Sequence, residues 1–108
     1  MIDVTVAGAT GKLGSMVCSL IREQKDMRLI GAIVSAEGGK AGTELYPGVI
    51  AVGPDGLEDI CRRSTVLVDV TNAAAVERNL PVALRAGTNL VVGTTGLSPE
   101  VLGRIGEM

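Results

Sequence analysis

Near the start of the chain a glycine-spaced turn, Gly8-Ala9-Thr10-Gly11-Lys12-Leu13-Gly14, joins two apolar segments of different period. The run before it, Ile2-Asp3-Val4-Thr5-Val6-Ala7, is short and β-branched and reads as a buried strand. After it, Leu13, Met16, Val17, Leu20 and Ile21 recur at helical spacing between Lys12 and Lys25, with Arg22, Glu23 and Lys25 toward water. A strand that passes through glycines directly into a helix is suited to hold a diphosphate. Gly8 and Gly11 allow a sharp turn and a close approach of the backbone. Gly14 allows the helix to pack tightly on the strand. The N–H groups that open the helix, together with its dipole, favour negative charge. The spacing is G-x-x-G-x-x-G rather than G-x-G-x-x-G, and the same physical requirements are met. The competing reading is a turn that only connects strand to helix. A Walker A loop is excluded, because no Gly-Lys-Ser/Thr follows at the required distance. Lys12 is either a solvated lysine or a phosphate contact. A cation opposes the dipole at a helix start, which favours the contact.

Further along, strands are expected at Met27 to Val34, Val49 to Val52, Val66 to Val70 and Asn89 to Val92. Residues 35–48, rich in glycine and carrying Pro47, read as one long loop. Pro54 to Arg63 reads as a short helix with Pro54 near its start. Ala73 to Ala86 reads as helical in two pieces or with a kink at Pro81, with Gly87 as C-cap. Ser98-Pro99-Glu100 suits the start of a last helix. The alternation predicts an α/β fold: a doubly wound parallel sheet of Rossmann type, three layers (α/β/α), in a single domain over residues 1–108.

The ends of the predicted strands are where ligands meet such sheets. After the second strand, Val34-Ser35-Ala36 stands where an NAD-binding domain places an acidic residue, and Glu37 follows two positions late as an ordinary loop charge. With no carboxylate at the strand end to repel a 2′-phosphate, and Lys12 or Lys40 available to pair with one, NADPH, or use of both NADPH and NADH, is the expected preference. Asp69-Val70-Thr71-Asn72 and Gly93-Thr94-Thr95-Gly96 end later strands with small and polar residues. Asp69 is expected to cap local backbone N–H groups.

Composition removes other classes. A net charge of −2 and a single aromatic residue, Tyr46, give neither an electrostatic footprint nor a stacking platform for nucleic acid. No basic amphipathic face and no apolar stretch of membrane-spanning length is seen, and no signal peptide, so no membrane partner is expected and the cytoplasm is the default location. With no histidine, and Cys18 and Cys61 far apart, no Cys/His metal site is expected; two buried thiols in a reducing compartment are.

Three blocks together resemble the dihydrodipicolinate reductase family of lysine and diaminopimelate biosynthesis: Val6 to Gly14, Asp69-Val70-Thr71, and Val91-Val92-Gly93-Thr94-Thr95-Gly96-Leu97. The resemblance covers essentially the whole chain and implies the NAD(P)-binding domain of a reductase that transfers hydride to 4-hydroxy-tetrahydrodipicolinate with loss of water. By motif, the backbone from Gly8 to Leu13 (Gly8, Ala9, Thr10, Gly11, Lys12, Leu13) would bind the pyrophosphate. Ser35 would stand at the adenosine ribose, Thr71 beside the cofactor, and Gly93, Thr94 and Thr95 at the nicotinamide. Val70 replaces the family's usual Phe, and Asn72 stands where a basic residue is common. The family's His-rich catalytic segment, its substrate-binding Lys and its homotetramer contacts belong to a second domain that this chain is expected to lack. The short stretch after Ser98 reads as a cut rather than a natural end. No catalytic residue is therefore assigned here, and no substrate turnover by this chain alone is expected. Two rivals stand beside this reading: a free-standing nucleotide-sensing module, and the cofactor domain of another Rossmann dehydrogenase.

Overall fold

A computed structural model describes residues 1–93. The expected last helix from Ser98, and Thr94 and Thr95, lie outside the described residues. The chain opens with β1 (Ile2–Ala7), turns into α1 (Lys12–Glu23) and returns through β2 (Met27–Ile33). Then come β3 (Glu44–Tyr46), β4 (Val49–Val52), a single 3-10 turn at Pro54–Gly56 and α2 (Leu57–Arg62). β5 (Val66–Asp69), α3 (Ala73–Ala86) and β6 (Asn89–Val92) complete the described order.

The six strands form one sheet in the order β3-β4-β2-β1-β5-β6. All pairings are parallel except β3 with β4. Side chains alternate across β1. Val4 and Val6 pack with Cys18 and Ile21 of α1, while Ala7 packs on the other face with Ile60 and Cys61 of α2 and Ala83 of α3. The sheet thus lies between α1 on one side and α2 with α3 on the other, the three layers expected.

Three expectations need correction. The stretch 35–48 is not all loop. It contains β3, an edge strand joined to β4 by the two-residue turn Pro47-Gly48, with Gly48 at φ 79°. A three-residue strand has too few positions to show a period, but Tyr46 anchors it: the Arg22 guanidinium of α1 lies 4.6 Å above its ring. Next, α3 is one helix that includes Pro81 rather than two separate pieces. The hydrogen bond that proline removes is outweighed by burial of Val76, Leu80 and Ala83, none of which is exposed to solvent. Third, α1 stops at Glu23, and the apolar residues Leu13, Met16 and Leu20 are exposed. The face toward the sheet is instead Gly14, Cys18 and Ile21. The close approach of α1 to the sheet favours small residues on that face and displaces the larger ones to solvent.

Candidate functional site

Five parallel strands end along one edge of the sheet, and β1 lies between β2 and β5, where the crossovers change direction. Ligands of open α/β sheets bind outside this edge at the reversal. The glycine turn sits there. Gly8 has φ 85°, a left-handed conformation that a side chain resists, and a methyl group on it would lie 3.1 Å from both the Val70 carbonyl oxygen and Thr71 Cγ2. A methyl group on Gly14 would stand 1.8 Å from the Gly8 carbonyl oxygen. The first turn of α1 therefore rests on the bend itself.

The amides of the turn divide into two sets. Those of Gly8 and Ala9 both donate to the Ile33 carbonyl, at 3.0 and 3.3 Å, and that of Gly11 donates to the Gly8 carbonyl at 3.0 Å. These shape the turn and are not free donors, which narrows the run of open amides expected from Gly8 onward. Lys12, Leu13 and Gly14 open α1, where no intrahelical acceptor exists for their N–H groups, and Gly11 places no side-chain cap over them. Thr10, Gly11 and Lys12 are exposed beside them. The neighbouring helix start is built differently: Asn72 caps α3, its Oδ1 accepting from the Ala75 N–H at 3.0 Å.

Asp69 at the end of β5 is fully buried. Its Oδ1 accepts from the Thr71 N–H at 3.1 Å and from the Thr71 hydroxyl, and its Oδ2 accepts from Asn79 Nδ2 at 3.0 Å. The sequence reading of Asp69 as a local cap holds, with Asn79 as an added partner. Thr71 is fixed in this way against Gly8 and lines a cavity of about 460 Å³ on its other side. That size is in the range of small-ligand pockets.

The cavity lies between the segment after β2 and the start of α3. Ser35, Ala36 and Glu37 form one wall, Pro54 adds to the lining, and Thr71, Asn72, Ala74, Ala75 and Arg78 form the other wall. The Ser35 hydroxyl accepts from the Glu37 N–H at 3.2 Å, a local turn that fixes where Glu37 sits. Glu37, read from sequence as a loop charge, is thus a wall of the cavity. Neither Lys12 nor Lys40 lines it; the cation that does is Arg78, which the sequence reading did not single out. The available signal was helical spacing: Ala74 and Arg78 are four residues apart on α3 and share a face.

Gly93, after β6, donates its N–H to the Asp69 carbonyl at 2.9 Å, and a methyl group there would lie 4.0 Å from Leu13 Cδ2. The described site residues therefore line up along the edge. Ser35 and the cavity are at one end, the glycine turn and Thr71 are in the middle, and Gly93 is beside Leu13. Among the described residues no cluster of His, Cys, Asp and Glu could hold a metal ion, and no helix is long and apolar enough to cross a membrane.

The fold, the bare start of α1 and the edge cavity define a dinucleotide-binding α/β domain of Rossmann type. The chain belongs to the family described as dihydrodipicolinate reductase, N-terminus, whose model matches residues 2–108. It is 42% identical over 106 residues to the 4-hydroxy-tetrahydrodipicolinate reductase of Methanosarcina barkeri, an alignment covering 93% of this chain and 40% of that protein. The chain thus spans about two-fifths of the length of such a relative. Among solved structures it is similar to a dipicolinate-bound dihydrodipicolinate reductase from Paenisporosarcina sp. TG-14, with TM-score 0.81 and 21% identity over 97% of this chain and 42% of that one. It is also similar to scyllo-inositol dehydrogenase from Lactobacillus casei, solved with NAD(H) and scyllo-inositol, with TM-score 0.72 and 24% identity over 99% of this chain and 32% of that one. These two likenesses are of fold.

Proposed function

We propose that this chain is the cofactor-binding domain of a 4-hydroxy-tetrahydrodipicolinate reductase and that it takes NADPH or NADH. The observation that carries the reading is the contrast between two helix starts on one sheet edge. Asn72 closes the start of α3, whereas the amides of Lys12, Leu13 and Gly14 are left open above Gly8, Gly11 and Gly14. A diphosphate supplies the acceptors that those amides lack. Thr10 and Lys12 flank the same point, and Lys12 adds a charge to the phosphates. The cavity beyond Thr71 accepts the adenosine end, with Ser35 and Glu37 on the ribose side. Gly93, followed in sequence by Thr94 and Thr95, borders the nicotinamide end.

Bound there, the nicotinamide would supply the hydride for reduction of the substrate. The part of this chain in that reaction is binding and orientation. Gly8 and Gly14 hold the backbone at the required approach, and the Asp69–Thr71–Asn79 network fixes the strand end against which the cofactor lies. Substrate binding, proton delivery and the homotetramer contacts that the family resemblance implies are assigned to the portion of the relatives that this chain does not match. Function in the cytoplasm follows from the same reading.

Isothermal titration of the chain with NADPH and with NADH tests the proposal. Weak binding is expected, with no turnover of 4-hydroxy-tetrahydrodipicolinate. Absence of heat from either nucleotide at millimolar concentration would remove the site, and measurable turnover would remove the division of labour.

A further inference from the structure

We infer that the outer face of α1 is an interface for a second copy of this chain, with the two α1 helices antiparallel about a twofold axis. The inference does not depend on the cofactor reading. Among the described residues, α1 exposes three large apolar side chains, Leu13, Met16 and Leu20, whereas α2 exposes none and α3 only Leu84. Met16 and Leu20 are one turn apart and form a ridge. Ser15 and Ser19, also one turn apart, form the groove beside it, and these four residues line an open depression of about 320 Å³. The Ser15 hydroxyl donates to the Lys12 carbonyl at 3.2 Å, so an apolar side chain can enter the groove without stranding that donor. Ridge and groove lie side by side on one helix, so the surface complements itself. The ridge of one copy fills the groove of the other, as an isologous contact requires.

Charge fixes the direction. Lys12 opens α1 and Glu23 closes it; both are exposed, and neither makes an ion pair among the described residues. They stand about three turns apart, on the same side of the helix as Met16. An antiparallel pair centred on the middle of α1 sets Met16 against Ser19 of the second copy, Leu20 against Ser15, and Lys12 against Glu23, each of them twice. A parallel pair would set Lys12 against Lys12. This reciprocal match favours a second copy over an unrelated partner. A single helix face is smaller than the roughly 1,200 Å² of a stable complex, so the chain is monomeric at micromolar concentration and pairs at roughly 0.1–1 mM. The two glycine turns then lie at opposite ends of the pair.

The experiment is sedimentation equilibrium of the whole chain from about 10 μM to about 1 mM. The mass is expected to climb from one chain toward two. Met16→Lys and Leu20→Lys are each expected to weaken pairing by about tenfold or more. Lys12→Glu alone and Glu23→Lys alone bring like charges together and are expected to weaken it by about threefold, and the double variant to recover the wild-type value. All four positions are exposed, so thermal melts at micromolar concentration, below pairing, are expected to match the wild type. A single-chain mass at every concentration would overturn the inference. So would pairing that Met16→Lys and Leu20→Lys leave unchanged, or a double charge variant that pairs no better than its two parents.

Discussion

The Asn79 side chain donates to Asp69 Oδ2 at 3.0 Å, tying the middle of α3 to the end of β5. Both residues are buried, and the other carboxylate oxygen of Asp69 is occupied by Thr71. The pair therefore places the start of α3, and with it one wall of the cavity, relative to the glycine turn. A buried carboxylate is tolerated only while its lone pairs are met.

Asn79→Leu removes one of those partners and keeps the volume. Loss of a hydrogen bond to a charged buried group costs about 2–3 kcal/mol. The urea midpoint is expected to fall by that equivalent with the slope unchanged. A change under about 0.5 kcal/mol would show that water replaces the amide without penalty.

Gly14→Ala tests the approach of α1 to the turn. The added methyl would meet the Gly8 carbonyl oxygen at 1.8 Å, and backbone cannot swing aside as a flexible side chain can. The expected loss is about 3 kcal/mol or more, against the usual helical gain of about 1 kcal/mol for Gly to Ala. Nucleotide binding is expected to fall with it, because the same shift opens the turn. A variant as stable as the wild type, by thermal melting, would mean that α1 stands further from Gly8 than the structure has it.

Much of this arrangement is legible in the sequence. The β-branched runs at Ile2 and Val66, and the glycines between Gly8 and Gly14, state their roles locally, so strand, turn and layer order followed from the sequence. The cavity did not, because Glu37 and Arg78 are 41 positions apart and meet only when β2 and the start of α3 end on one edge. Nor did the inward face of α1, where Cys18 was less conspicuous than Leu20 yet is fully buried. Hydrophobicity marks a stripe, whereas the space between helix and sheet decides which side chains fit under it.

That last point is measurable. Met16→Gln and Leu20→Gln alter residues that are 59% and 56% exposed and are expected to change stability by no more than about 0.5 kcal/mol. Ile21→Ala, at 6% exposure, is expected to cost about 2–5 kcal/mol. Denaturant unfolding of the three variants separates the faces. A large loss from either glutamine variant would show that the Met16 and Leu20 face is covered in solution.

The two thiols carry a prediction at alkaline pH. Burial pushes Cys18 up from the ordinary thiol value near 9.0, with the Tyr46 hydrogen bond and the Arg22 charge pulling it partly back. Burial likewise pushes Cys61 up, opposed by the Thr88 hydrogen bond. The unfolded chain releases these protons around the ordinary value, while the folded chain keeps them to higher pH. Their contribution is therefore complete below about pH 9 and declines as pH rises through the raised folded values. Urea unfolding between pH 7 and pH 10.5 is expected to show a falling midpoint above about pH 9, with a shallower fall in a Cys18→Ala, Cys61→Ala double variant. Both thiols are unpaired and buried, so a thiol-specific reagent at pH 8 is expected to label them only as the chain unfolds. Rapid labelling of the native protein, or an alkaline limb of equal slope in the double variant, would show that the folded state does not protect these protons.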